Sequence, residues 1–197
     1  MAGPIRIAER AFLLLLSFAA VVRLAGAVPY HPQLALVLFS EVLGVALLLL
    51  QRRGEWTSEP RPVLIAFIGT GAALLVVPVG TALVSDAVST ALIFAGGGIA
   101  LAAKLCIGRS FGVIPANRGV KRRGVYRVVR HPMYFGYMLN HVGLLLLYPS
   151  VWNLAVYAVS WTALWLRVGE EERFLRRDPA YRAYARSVRY RLVPGIA

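Results

Sequence analysis

Residues 133–168 read MYFGYMLNHVGLLLLYPSVWNLAVYAVSWTALWLRV. They form two apolar runs, 133–148 and 152–168, separated only by a Tyr-Pro-Ser turn at 148–150. Each run approaches the roughly 20 apolar residues that a helix needs to cross a bilayer. Because so short a link must reverse the chain direction, the sequence predicts a helical hairpin embedded in a membrane.

Four further apolar stretches precede the hairpin, at 11–29, 34–51, 63–84 and 87–107. The chain as a whole is 58% hydrophobic, has a mean hydropathy of +0.65 and contains only 16% charged residues. We therefore predict an all-α integral membrane protein with about six membrane-embedded helices. Within these stretches, Pro78 is expected to kink the third helix, and the Gly96-Gly97-Gly98 run to allow close packing of the fourth.

The charged residues are confined to alternate connections between the apolar stretches. The segment from Lys104 to Arg130 holds eight Lys and Arg and no acid, whereas the links 30–33, 85–86 and 149–151 hold no Lys or Arg. The positive-inside rule then places this basic loop and both termini in the cytoplasm. The formal net charge of +13 fits anionic lipid head groups, and no nucleic-acid partner is expected.

Ionisable residues inside the apolar stretches are rare. Arg23 and Glu41 are expected at similar depth on adjacent antiparallel helices. There a buried ion pair would lower the free-energy cost of placing two charges in the membrane. A role in substrate entry is the alternative. The chain has one cysteine, Cys106, which excludes an intrachain disulfide. Its three histidines are scattered along the sequence, so no metal site is predicted.

In the second half of the chain, unlike the first, many polar and aromatic residues interrupt the apolar runs. We expect residues 1–100 to supply transmembrane helices, and residues 101–197 to form a region with a basic loop, the hairpin and a C-terminal tail. In this region the ordered pattern is Gly-x-Tyr-x(3)-Arg-His-Pro-x-Tyr-x-Gly, then Arg-x(3)-Glu-Glu-x(2)-Leu and Tyr-x(2)-Tyr. It falls on Gly124, Tyr126, Arg130, His131, Pro132, Tyr134, Gly136, Arg167, Glu171, Glu172, Leu175, Tyr181 and Tyr184.

This ordered set resembles the isoprenylcysteine carboxyl methyltransferase family, which is similar to the membrane phospholipid N-methyltransferases. The resemblance covers about residues 100–195. It implies an enzyme that uses S-adenosylmethionine, held without a Rossmann domain in a cytoplasmic pocket beside the hairpin. The absence of a Gly-x-Gly-x-x-Gly fingerprint from the sequence agrees with this expectation.

The resemblance also suggests which residues form the site. The sulfonium of the cofactor is a cation that favours aromatic faces and a nearby carboxylate, and Tyr126, Tyr134 and Glu171 offer both. The backbone near the basic loop and the start of the hairpin would contact the rest of the cofactor, at Arg118, Gly119, Val120, Lys121, His131, Pro132 and Met133. Arg167 corresponds to the residue that binds the acceptor's carboxylate, and Arg167 and Glu171 are the expected catalytic pair.

The acceptor is predicted only as a lipophilic or membrane-delivered molecule, such as a prenylcysteine carboxylate. A phospholipid amine is an alternative, and the Glu170–Glu172 cluster would then serve as the base. A sterol-reductase-like enzyme that uses NADPH and a non-catalytic membrane scaffold are two further alternatives. The short chain and its use of Ala, Arg and Gly favour a prokaryotic inner membrane.

Overall fold

A computed structural model describes residues 3–57 and 59–196. These residues form seven α-helices and one small antiparallel sheet. The helices are α1 (Gly3–Ala25), α2 (Leu34–Leu49), α3 (Pro60–Ala73), α4 (Asp86–Ile107), α5 (Pro132–Leu147), α6 (Val151–Leu175) and α7 (Pro179–Ser187). In the sheet, β1 (Glu55–Trp56) pairs with β2 (Ala116–Asn117), with Glu55 opposite Asn117.

The predicted hairpin is present as α5 and α6. Pro132 occupies the first turn of α5, where its missing N–H costs nothing, and the Ser150 hydroxyl accepts a hydrogen bond from Asn153 N at the start of α6. The second helix is longer than predicted and ends at Leu175 rather than near 168. Arg167 and Glu171 therefore lie one turn apart on one continuous helix.

Helices α4 and α5 pack closely through glycine, as the sequence predicts. A Cβ atom added at Gly96 would lie 2.6 Å from the carbonyl oxygen of Gly136, and one at Gly136 would lie 2.6 Å from Ala100 N. Only a residue without a side chain permits this backbone contact. The contact fixes the start of α5 beside the last turns of α4.

The prediction that α3 spans 63–84 is wrong, because this helix ends at Ala73. Residues 74–85 have no helical structure, and Pro78 lies among them rather than at a kink. A β-branched pair precedes Pro78, and the residue before a proline disfavours the helical conformation. The side chain of Asn153 accepts from Val77 N at 3.1 Å and donates to Val77 O at 2.8 Å, which replaces the lost helical hydrogen bonds.

Arg23 and Glu41 do not form the expected ion pair. Arg23 instead donates to the carbonyl oxygens of Leu74 and Val76, just beyond the last residue of α3. Carbonyl oxygens at and after a helix end have no partner within the helix, so a cation satisfies them well. Arg23 thus stabilises the early end of α3, and Glu41 faces a cavity described below.

The outer surface of the helices is strongly apolar, with exposed side chains that include Leu15, Phe18, Val151 and Trp165. Such a surface is typical of contact with lipid rather than water. Among the described residues, one segment, Asp86–Ser110, meets the length and composition of a membrane span, and α2 is a shorter apolar helix. The number of six spans and the cytoplasmic termini remain predictions.

Candidate functional site

The irregular segment between α4 and α5 is fixed by a carboxylate from α1. Glu9 is almost fully buried, and its Oε1 accepts hydrogen bonds from Val113 N at 2.7 Å and Ile114 N at 3.0 Å. These donors satisfy a charge that would otherwise be expensive to bury. Glu9 therefore fixes the backbone of this segment against the helices.

Arg130 and His131 form the centre of a buried ionic network at the start of α5. Arg130 Nε donates to Glu172 Oε1 at 2.6 Å, and His131 Nε2 lies 3.3 Å from the same oxygen. Burial raises the pKa of the Glu172 carboxyl, but the hydrogen bonds from His131 and Arg130 outweigh it and lower that pKa to about 2. The network joins α5 to α6 with a carboxylate that stays ionised.

The same arginine holds the C-terminal tail. Its guanidinium donates to the carbonyl oxygens of Val188 and Arg189, both at 2.7 Å, and Arg130 N donates to Tyr190 O at 2.9 Å. The tail is thereby bound along the start of the hairpin. Arg130 is thus a structural anchor of the site.

Tyr184, the second tyrosine of the Tyr-x(2)-Tyr pair, supports the basic loop. Tyr184 Oη donates to the carbonyl oxygen of Tyr126 at 2.8 Å. Burial, reinforced by the nearby Glu171 carboxylate, raises the pKa of Tyr126 well above its usual range. The phenol of Tyr126 therefore stays neutral at physiological pH.

One cavity, which we call the loop cavity, lies between the basic loop, the hairpin and α7. Its lining includes nearly all the residues that the resemblance assigns to the cofactor. They are Arg118, Gly119, Val120, Lys121, Tyr126, His131, Met133, Tyr134 and Glu171, joined by Asn117, Tyr181 and Tyr184 among others. Pro132 is the exception, because it does not line the cavity and only begins α5.

The loop cavity has the chemistry that S-adenosylmethionine requires. Two buried tyrosine rings, Tyr126 and Tyr134, and the half-buried Glu171 carboxylate line its walls. Aromatic faces together with a carboxylate suit a sulfonium cation. Gly119 has a φ of +86°, a conformation that other residues rarely adopt, so the turn at this wall depends on glycine. The residues present fit the cofactor that the resemblance implies.

A second cavity, the bundle cavity, lies among the helices and receives residues from α1 to α6. Most of its lining is apolar or aromatic, but four ionisable side chains also line it, namely Glu41, Lys104, His141 and Arg167. Lys104 Nζ is buried and donates to Ser40 O and, at 2.9 Å, to Ser40 Oγ. Residues from the first hundred positions, among them Glu41 of α2, therefore line this cavity together with residues of the second half.

The two cavities share a wall. Gly112, Met133, Tyr134 and Arg167 line both of them. Tyr134 Oη donates to Glu171 Oε2 at 2.7 Å, and the Arg167 guanidinium lies 5.1 Å from the centre of the Tyr134 ring. A ligand in the loop cavity and a ligand in the bundle cavity would therefore meet at this wall.

Arg167 is buried and has no carboxylate partner among the residues that the structure describes. Its guanidinium donates to Thr70 Oγ1 at 3.1 Å and to the carbonyl oxygens of Gly112 and Val113, while Nε has no hydrogen-bond partner. A surface ion pair with Glu171 would leave both groups exposed, and the structure does not contain one. Arg167 thus places a buried positive charge at the shared wall, held by neutral oxygens and an aromatic ring rather than by a described carboxylate.

Sequence reasoning missed Glu9, Lys104 and His141. It also missed Tyr137, which lines the bundle cavity with its ring centre 5.3 Å from Lys104 Nζ. Glu9 and Lys104 occur in helical sequence without a motif, and their partners lie far away along the chain, 104 residues away for Val113 and 64 for Ser40. His141 follows Tyr134 by seven residues on α5, close to two full turns, and this spacing could have placed it on the face of α5 that Tyr134 occupies.

Residues 72–182 match the family model described as phospholipid methyltransferase. The match covers more than half of the chain and includes the residues of the wall that the two cavities share. This chain belongs to the phospholipid methyltransferase family. A search of curated proteins finds no match, and neither does a search of solved structures.

Membership confirms the broader part of the sequence interpretation. The chain is a membrane methyltransferase of the type shared by the isoprenylcysteine and phospholipid enzymes, a family that generally uses S-adenosylmethionine. The match begins near residue 72, upstream of the region that carries the resemblance, and so includes α4 with Lys104. It does not select the isoprenylcysteine branch, which remains a proposal.

Proposed function

We propose that this phospholipid methyltransferase family member transfers a methyl group from S-adenosylmethionine in the loop cavity to an acidic amphiphile in the bundle cavity. The observation that carries the proposal is the wall that the two cavities share. Tyr134 and Arg167 contribute to both sides of it, so a donor and an acceptor can approach each other there. Holding two reactants in this way accounts for much of the rate that such enzymes achieve.

When bound, S-adenosylmethionine supplies a methyl group already activated by the sulfonium. In this proposal Glu171, Tyr126 and Tyr134 hold that cation and exclude water from it. Tyr134 also positions Glu171, since its phenol donates to the carboxylate at 2.7 Å. Pro132 has no direct contact with the cofactor here and acts by starting α5 beside the cavity.

The charge of the bundle cavity favours an acidic acceptor. Arg167 and Lys104 are both buried and line the cavity, and their hydrogen bonds go to neutral oxygens rather than to a described carboxylate. A buried cation without a counterion is costly, so an acceptor carboxylate would be stabilised there. A carboxylate also needs no general base, because it carries no proton to lose before it attacks the methyl carbon.

An amine acceptor is the second candidate, and the family's description favours it. An amine must lose a proton, and the structure narrows the choice of base. Glu170 is paired with Arg61 and Arg173, and Glu172 lies in the network of Arg130. Of the Glu170–Glu172 cluster, only Glu171 lines a cavity, so Glu171 would be the base in this alternative.

We propose a prokaryotic inner membrane as the location, with both termini and the loop cavity on the cytoplasmic side, where the cofactor is available. The basic segment from Lys104 to Arg130 supports this orientation. Membrane lipids surround the apolar outer surface in this arrangement. The acceptor then enters the bundle cavity from the bilayer and would be a lipophilic small molecule or a lipidated one.

The decisive experiment uses the purified protein and S-adenosylmethionine labelled in its methyl group. Total membrane lipids, a prenylcysteine analogue and small thiols serve as acceptors, and the labelled products are treated with alkali. A methyl ester releases labelled methanol, whereas an N-methyl or S-methyl product keeps its label. Alkali-labile label in a lipophilic product is the expected result, and stable label in a phospholipid would support the amine alternative instead.

A binding measurement separates the remaining alternatives. Protection against heat by S-adenosylmethionine or S-adenosylhomocysteine, and not by NADPH, is expected for a methyltransferase. Protection by NADPH alone would indicate a sterol-reductase-like enzyme. Protection by none of them would favour a scaffold without catalytic activity.

A further inference from the structure

Arg167 is held on one side by a residue of α3. Its Nη1 donates to Thr70 Oγ1 at 3.1 Å, although the two residues lie 97 positions apart in the sequence. Thr70 also lines the bundle cavity, so its hydroxyl lies where the guanidinium meets that cavity. It precedes residues 72–182, which match the family model, and it belongs to no motif found in the sequence. Only the fold brings it to the site.

The other side of the guanidinium is held by the segment between α4 and α5. Arg167 Nη2 donates to the carbonyl oxygens of Gly112 and Val113, and Val113 N donates in turn to Glu9 Oε1 at 2.7 Å. The whole arginine is only 5% exposed. Because it is buried and bound from two sides, its guanidinium has little freedom to turn. A charged group fixed in this way is preorganised for a ligand.

These contacts leave hydrogen-bond donors available at the cavity. Arg167 Nε is buried and has no hydrogen-bond partner among the described residues. The Thr70 hydroxyl accepts a hydrogen bond from Arg167, and this bond leaves the proton of the hydroxyl available for donation. A cation and a neutral donor therefore lie side by side at the shared wall. A carboxylate is the natural ligand for such a pair, because it accepts hydrogen bonds and carries the opposite charge.

On the basis of the proposed function, we propose that Thr70 is a second acceptor-binding residue that acts together with Arg167. Its hydroxyl orients the guanidinium and donates to the carboxylate of the acceptor, next to the donors of Arg167. A carboxylate has two oxygens, each of which accepts more than one hydrogen bond, so both side chains bind it at once. Thr70 thus favours an acid over a neutral molecule of similar shape.

The packing of α3 on α6 has other supports than the Thr70 hydroxyl. Ser160 Oγ donates to the carbonyl oxygen of Gly69 at 3.0 Å, and a Cβ atom added at Gly69 would lie 3.2 Å from the Cβ of Ala163. The two helices are therefore in close contact one residue before Thr70. Removing the hydroxyl should change the recognition of the acceptor more than the packing of the helices.

Binding to the full-length protein in detergent, with S-adenosylhomocysteine present, tests the proposal. The two ligands are a prenylcysteine analogue with a free carboxylate and the methyl ester of the same analogue. The wild-type protein should bind the acid more tightly than the ester, and the ratio of the two dissociation constants measures recognition of the carboxylate. Arg167→Ala should abolish this preference, because it removes the cation.

Thr70→Val keeps the branched shape of the side chain and removes the hydroxyl. It should reduce the preference for the acid about tenfold, with little change in the affinity for the ester or for S-adenosylhomocysteine. Thr70→Ser restores the hydroxyl and should retain most of the preference. Thr162→Val is the matched control, because Thr162 is exposed on α6 and its hydroxyl donates to Ala158 O outside both cavities.

The outcomes separate this inference from the function on which it rests. If the wild-type protein binds the acid no more tightly than the ester, the acidic acceptor falls and this inference falls with it. If Arg167→Ala abolishes the preference and Thr70→Val leaves it intact, only this inference is overturned. Equal losses of affinity for the acid and the ester in Thr70→Val would show that Thr70 only supports the packing, and would also overturn it. Thr70→Ala provides the same comparison if the valine variant fails to bind S-adenosylhomocysteine.

Discussion

Tyr134 contacts both members of the expected catalytic pair: its phenol donates to Glu171 Oε2 at 2.7 Å, and the Arg167 guanidinium lies 5.1 Å from the centre of its ring. A single side chain at the start of α5 therefore positions two charged groups of α6. Because Arg167 and Glu171 are four residues apart, they lie on one face of that helix. Tyr134 and Arg167 line both cavities, and Glu171 lines the loop cavity.

Replacing Tyr134 separates the role of its ring from that of its hydroxyl. Tyr134→Ala should weaken binding of S-adenosylhomocysteine by about 1–2 kcal/mol, because the loop cavity loses an aromatic wall. Tyr134→Phe keeps the ring, so it should weaken this binding by under about 1 kcal/mol, through loss of the hydrogen bond to Glu171. Calorimetry measures both, and the exposed Tyr30→Ala is the control. Unchanged affinity in the alanine variant would show that Tyr134 only anchors the helix.

Glu172 should make the stability of the protein sensitive to acid. Its pKa in the folded protein is about 2, below the ordinary 4.5, so ionised Glu172 stabilises the fold at neutral pH. That contribution is complete above about pH 4.5 and is lost as the pH falls through about 2. It amounts to about 3 kcal/mol. The free energy of unfolding, measured between pH 7 and pH 3, should begin to fall as the pH drops below about 4.5.

The control for this prediction is Glu172→Gln, which cannot ionise. The variant should be less stable at pH 7, and the difference from the wild-type protein should shrink as the pH is lowered. A difference that is constant with pH would mean that the carboxylate's charge contributes nothing. Asp178 also has a lowered pKa, through a hydrogen bond from Asn117, so the comparison must be made between matched proteins at each pH.

Much of the site follows from local sequence. The hairpin is predictable because its two runs are apolar and its link is too short for any other connection. Close packing of α4 on a neighbouring helix is predictable because a glycine run favours it, although the run does not tell which helix the neighbour is. Nearly all the residues assigned to the cofactor line one cavity, because most of them lie in the basic loop or in the first turn of α5.

The rest depends on contacts between distant residues. α3 ends early because Arg23 and Asn153 satisfy the backbone of residues 74–77, and both lie more than fifty residues away in sequence. The same applies to Glu9 and Lys104, whose partners belong to other elements. An apolar run shows where a helix is favourable but not which side chain elsewhere stabilises its end. For this reason the expected pair of Arg23 with Glu41 was wrong.

Glu9 offers a direct test of how α1 supports the loop cavity. Glu9→Ala would leave Val113 N and Ile114 N buried without an acceptor, so the free energy of unfolding should fall by about 1–3 kcal/mol. Glu9→Gln keeps an acceptor oxygen, so it should lower the free energy of unfolding by less than Glu9→Ala does. Thermal unfolding with and without S-adenosylhomocysteine measures both effects. If the two variants matched the wild-type protein in stability and binding, the loop would not depend on this carboxylate.

The orientation is testable by cysteine labelling in a Cys106→Ser background. Ser85→Cys lies in an exposed link before α4, and Arg123→Cys lies in the exposed part of the basic loop. Arg123 is preferable to Gly119, whose φ of +86° would strain any other residue. A membrane-impermeant reagent should label Arg123→Cys only from the cytoplasmic side and Ser85→Cys only from outside. The reverse pattern would place the loop cavity away from its cofactor.

The last prediction divides the chemistry between Arg167 and Glu171. If Arg167 binds an acidic acceptor, Arg167→Ala should raise the acceptor KM or lower kcat on the order of 100-fold, with cofactor affinity nearly unchanged. Arg167→Lys should rescue only part of the activity, because lysine lacks the planar donor pair. Glu171→Gln should mainly weaken cofactor binding, by about 1–2 kcal/mol, since it removes the carboxylate beside the sulfonium without changing side-chain size.

Arg173→Ala is the matched control, because Arg173 lies on the same helix but is exposed and pairs with Glu59 and Glu170 outside both cavities. It should leave KM, kcat and cofactor affinity near those of the wild-type protein. Steady-state kinetics at saturating cofactor, combined with calorimetry, separates the two roles. Since Arg167 has no carboxylate partner among residues 3–57 and 59–196, its loss removes no ion pair with Glu171. Equal and small losses from Arg167→Ala and Glu171→Gln, with normal cofactor binding in each, would contradict the assignment of the shared wall as the place of methyl transfer.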